Sequence, residues 1–139
     1  MIFFKKKNDE KQHESGNSQN LSDFITNGEK LYDIANIHVI SSGDLNFFKK
    51  LLTIFITQTP ETLSKMFDAY ERNDFEAITA YSHKIKPSVI SLGIVSIVDD
   101  LNDLELGCSA AESERKLNKV ALILNEVILG LTLEIEGVA

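Results

Sequence analysis

The chain has 139 residues, 43% of them hydrophobic, which is enough for one core and too little for two ordinary domains. A formal charge of −7 and a pI near 4.9 argue against nucleic acid or an anionic membrane as a main partner, because both reward basic surfaces. From Leu31 onward nine basic residues stand against sixteen acidic ones, so any cationic patch must be local. Cys108 is the only cysteine, which rules out an intrachain disulfide and points to a reducing compartment.

Residues 1–30 mix Lys, Asn, Glu, Gln, Ser and Gly without sustained periodicity, and a mobile tail is expected there. Met1-Ile2-Phe3-Phe4 precedes three lysines, the reverse of a secretory signal. No stretch approaches the ~20 apolar residues of a membrane span. A soluble, cytoplasmic protein is the expectation. Glu10 and His13 have the spacing of a carboxylate-bridged metal site, but the further ligands such a site needs are missing, so no metal site is expected.

Leu31, Ile34, Ala35 and His38 are spaced for a short helix ending near Ile40. Ser41-Ser42-Gly43-Asp44 supplies capping oxygens and a turn, after which Phe48, Leu51, Leu52 and Phe55 mark one buried face. Thr59-Pro60 should kink or restart that helix, and Leu63, Met66, Phe67 and Tyr70 resume the stripe. Asp74 is placed to cap the next helix and Gly93 to end it. Ile97, Val98, Leu101, Leu104 and Cys108 form a further stripe whose opposite face, with Asp99, Asp100, Asp103 and Glu105, reads as solvated. Ser109 and Glu112 have capping-box spacing, and the apolar positions from Leu117 to Ile135 predict about six turns. No period-two alternation predicts a strand. The expected fold is all-α: an antiparallel four-helix bundle over residues 31–139 with a short extra N-terminal helix.

One helix carries the candidate site. Its apolar stripe is Ile78, Tyr81, Ile85, Val89 and Leu92, and His83 falls roughly 160° from the centre of that stripe, turned outward. Thr79, Ala80, Lys86 and Pro87 lie three or four positions from His83, so its helical neighbours are small, compact or cationic. Pro87 removes the donor for the carbonyl of His83, and a local bend tilting the imidazole into solvent is expected. Ile90 lies within about 20° of His83, an apolar residue on an exposed face. The sequence shows neither a Gly-rich phosphate loop nor a second carboxylate or base assignable to His83.

His83, Lys86, Ser88, Leu92 and Gly93 resemble the signature of histidine-containing phosphotransfer (HPt) domains. The approach to it, Gly43-Asp44-Leu45 with Phe48, Leu51, Leu52, Phe55, Pro60 and Asp74, is similar as well. The resemblance covers roughly Leu31 to Cys108 and departs from the family at Pro87, where many members have Gly. It implies a phosphoryl carrier in a multistep two-component phosphorelay, without catalytic activity of its own. His83 would accept a phosphoryl group from a receiver-domain aspartate and pass it to another. Lys86 would pair with the phosphoryl oxygens, and Lys84 would add to the positive field less directly. Thr79, Ala80, Pro87 and Ile90 would meet the partner, a receiver domain of a response regulator or hybrid histidine kinase. No cofactor is expected on this chain, the Mg²⁺ belonging to the receiver, and a monomer is expected. The rival expectation is a module of the same fold that docks a receiver without taking phosphate.

Overall fold

The computed structural model describes residues 31–137, and every described element is helical. Helix α1 spans Ala35–Ser41, α2 Leu45–Glu71, α3 Phe75–Ser91, α4 Val98–Leu106 and α5 Ala110–Gly137, with a 3₁₀ turn at Val95–Ile97 leading into α4. The expected tail over residues 1–30 and the Glu10–His13 spacing lie outside the described residues. No described helix is long and apolar enough to cross a membrane.

The helix starts follow side-chain chemistry. The Asp44 carboxylate accepts from the backbone N–H groups of Asn46 and Phe47 at 3.0 and 3.1 Å, and that of Asp74 accepts from Ala77 N–H at 3.1 Å. Each satisfies donors that the first helical turn leaves unpaired. The box expected at Ser109 forms by half: Ser109 Oγ accepts from Glu112 N–H, while the Glu112 carboxylate turns to Arg115.

Pro60 neither breaks nor restarts α2, which runs on as one helix of 27 residues. A helix-interior proline costs about 3 kcal/mol, whereas each large side chain taken fully out of water returns about 1.5–3 kcal/mol. Leu52, Phe55, Leu63 and Met66 are all buried on either side of the proline, so packing outweighs the lost ladder bond.

The core lies where α2 packs on α3 and α5, α3 on α4, and α4 on α5, with α1 set against α2. The stripe after Gly93 is shorter than its apolar pattern suggests. It divides into the 3₁₀ turn and the nine-residue α4, whose Leu101 and Leu104 point inward.

Gly93 closes α3 with φ +65°, its N–H donating to Ile90 O while Ile94 N–H donates to Val89 O, both at 3.0 Å. This is the paired C-terminal closure that favours glycine in a left-handed conformation. The chain ahead of α1 crosses here, Asp33 N–H donating to Leu92 O at 2.8 Å. A Cβ at position 93 would sit 2.8 Å from Asp33 Cβ and 3.1 Å from Asp33 N. Gly93→Ala is therefore expected to destabilise the fold by about 1–3 kcal/mol, read as a lower urea midpoint with an unchanged slope.

Candidate functional site

Rotational phase along α3 decides what each side chain meets. Ile78, Ile85, Val89 and Leu92 are buried as expected, Tyr81 is half-buried, and His83 projects outward with 73% of its side chain exposed. This exposure agrees with helical phase, and α3 is one helix on both sides of Pro87. The other described histidine, His38, stacks on Phe48 with ring centroids 4.3 Å apart.

The structure brings to His83 a carboxylate that the sequence reading left in solvent. Glu105 of α4 places Oε2 2.6 Å from His83 Nδ1 and Oε1 2.7 Å from Lys86 Nζ. The Lys86 ammonium also donates to Asn102 Oδ1 at 2.7 Å. Lys86 is thus only half-exposed, tied to the same carboxylate as the imidazole rather than extended into water. The expectation of no carboxylate beside His83 is corrected, as is the solvated face on α4. Asp100 is buried, Glu105 lies in the site, and Asp103 is paired with Lys116.

The hydrogen bond from Lys86, and secondly the one from His83, holds the Glu105 carboxyl below its ordinary value, against a smaller opposing effect of desolvation. An ionised carboxylate only accepts, so Nδ1 must carry the proton in this contact. In the neutral ring that leaves Nε2 with its lone pair, directed away from Glu105. In that tautomer the site presents an exposed imidazole nitrogen able to act as a nucleophile, with an anion behind the ring and a cation one helical turn along.

The lowered value also has a consequence for stability. A carboxyl with a depressed folded-state pKa adds stability that is present above its ordinary range and lost as pH falls through the depressed value. The urea midpoint of Glu105→Gln is expected to lie below wild type at neutral pH and to converge on it in acid, both chains being titrated in parallel.

The remaining predicted residues surround the ring. Ala80 and Pro87 are exposed, Thr79 is half-buried, and Ile90 is 57% exposed. Lys84 lies on the flank of α3 away from Glu105. With Pro87 it lines a cavity of about 300 Å³ between α1, α2 and α3, walled by Ile37, Ile40, Ile54 and Phe55. Glu105 and Asn102 are the site residues that sequence reasoning missed. Their i, i+3 spacing on a helix following the His-bearing one is the only signal they offer.

Among the described residues no three His, Cys, Asp or Glu side chains converge to hold a metal ion. Cys108 is partly buried, its Sγ 3.5 Å from Ser113 Oγ. No family model, curated protein or solved structure matches the chain.

Proposed function

We propose that this chain is a histidine phosphotransfer protein of a multistep phosphorelay, with His83 as the phosphoacceptor. The observation that carries this reading is the exposed imidazole whose Nδ1 is bound to Glu105, so that Nε2 is the free nucleophile. The Nε2 lone pair attacks the phosphorus of an aspartyl phosphate on a receiver domain. The bond from phosphorus to the carboxyl oxygen breaks, and its electron pair leaves with the aspartate carboxylate. The proton on Nδ1 stays, the ring becomes a phosphorylated imidazolium, and the adjacent Glu105 carboxylate balances its positive charge. Transfer to a second receiver aspartate runs the same step in reverse.

Such transfers depend on positioning and charge neutralisation more than on proton transfer. Lys86 is the cation at hand. Its flexible stem lets the ammonium exchange the Glu105 and Asn102 oxygens for phosphoryl oxygens, and Lys84 adds positive field from the other flank. The Mg²⁺ of the reaction belongs to the receiver, and the chain works as a cytoplasmic monomer. In this reading α2, α3, α4 and α5 form the antiparallel four-helix bundle, with α1 as the short extra helix. Thr79, Ala80, Pro87 and Ile90 ring the imidazole closely enough for a receiver aspartate to reach it, and the exposed Ile90 supplies apolar contact area.

The test is to incubate the full chain with phosphorylated receiver domains and follow label on the protein. The proposal expects a label that is lost in acid and kept in alkali. Receiver binding without any label would replace it with the docking-only module.

A further inference from the structure

We infer that the ion cluster centred on Lys116, between α4 and α5, is a positioning device that sets the roll of α4 and so holds Glu105 on His83; its bearing on transfer rests on the phosphoacceptor reading. Among the described residues, helix α4 packs most closely on α3, and the directional contacts that fix its rotation are few. It is nine residues long, begins at Ile97 without a side-chain cap, and ends at Gly107, where φ is +100°. Its inward anchors are Leu101 and Leu104. At 100° per residue, Asp100 and Asp103 lie about 100° to one side of those anchors, and Asn102 and Glu105 about 100° to the other.

Both rims are pinned by lysines. On the α3 side Lys86 holds Asn102 and Glu105, each at 2.7 Å. On the α5 side Lys116 Nζ lies 3.1 Å from Asp103 and 3.5 Å from Asp100, and Lys119 Nζ lies 2.9 Å from Asp100. Lys116 and Asp100 are nearly buried, with side chains 11% and 9% exposed, so these contacts are screened little by water.

Apolar anchors resist the roll of a short helix weakly, because their contacts have no preferred direction, whereas hydrogen bonds do. A roll of about 20° carries a side-chain group roughly 6 Å from the helix axis through about 2 Å. That displacement is enough to separate Glu105 from Nδ1. A ring released from Glu105 can carry its proton on either nitrogen.

The test uses the full chain and two readouts. The first is the ring ¹⁵N resonances of His83 at pH 8, above the ordinary imidazole range. The second is the rate of transfer from a phosphorylated receiver. Wild type is expected to show protonated Nδ1 and unprotonated Nε2. Lys116→Met is expected to give mixed tautomers and a rate about tenfold lower, less than the fall expected for removing Glu105 outright, because the carboxylate is displaced and not lost. Lys116→Arg should restore both. Because Lys116→Met takes one of two ammonium partners from the buried Asp100 and leaves Lys119 alone, Asp103→Ala at the half-exposed end of the cluster is the second variant, expected to shift the resonances in the same direction. Wild-type resonances in a folded Lys116→Met or Asp103→Ala chain would overturn the inference even if wild type accepts phosphate. Shifted resonances in a protein that never accepts phosphate would leave the clamp standing and remove the phosphoacceptor reading.

Discussion

His83→Gln is expected to take up no label from a phosphorylated receiver while keeping the stability of the wild-type fold. The imidazole is mostly exposed and its hydrogen-bond partner is a partly exposed carboxylate on α4, so little packing is lost when it is replaced. Surface changes of this kind fall within about ±0.5 kcal/mol. The amide of glutamine is not a nucleophile, so no slower version of the same step remains. Label should therefore fall to background rather than by a graded factor. Residual acid-labile label on a folded His83→Gln chain would move the acceptor elsewhere and end the proposal.

Replacing Glu105 is expected to have the second largest effect, through two losses together. Glu105→Ala leaves Nδ1 without its acceptor, and it withdraws the anion that offsets charge on the phosphorylated ring. Loss of one such preorganised electrostatic contact costs about 2.7–4 kcal/mol in acyl-transfer sites, or about 10²–10³ in rate. Here the exposed ring is partly served by water, so a fall of about a hundredfold is expected, at the lower end of that range. Glu105→Gln keeps the size but offers the ring either an amide oxygen or an amide N–H, so the tautomer is no longer fixed. It should lie between alanine and wild type. Lys86→Ala removes the cation and one of the two lysine holds on α4 but leaves the imidazole nucleophile, and it should slow transfer without preventing it. An unchanged rate there would remove Lys86 from the step. The measurement is single-turnover transfer from one receiver at fixed pH, with urea midpoints confirming that each variant is folded.

The parts of this site that sequence made legible are those set by helical phase. The outward direction of His83 and the burial of Ile85 and Val89 depend only on spacing within α3. The caps at Asp44 and Asp74 and the closure at Gly93 are likewise local, and all three stand where their residue types place them. Glu105 was not legible because its partners lie 19 and 22 positions away, and only the packing of α4 on α3 makes them neighbours. A run of carboxylates opposite an apolar stripe looks the same whether it faces water or facing lysines. Asp100 shows this most clearly, being buried between Lys116 and Lys119 on the face that composition assigns to solvent. The restart expected at Pro60 does not occur for a related reason. The steric rule is local, but the apolar contacts on either side of Pro60 and Pro87 keep both helices continuous.

The most direct test of the account is to phosphorylate the ¹⁵N-labelled full chain with a receiver domain and determine by NMR which nitrogen is bonded to phosphorus. The account predicts one phosphohistidine, at Nε2 of His83, with Nδ1 still protonated. Phosphorus on Nδ1, on His38 or on any other side chain would contradict it.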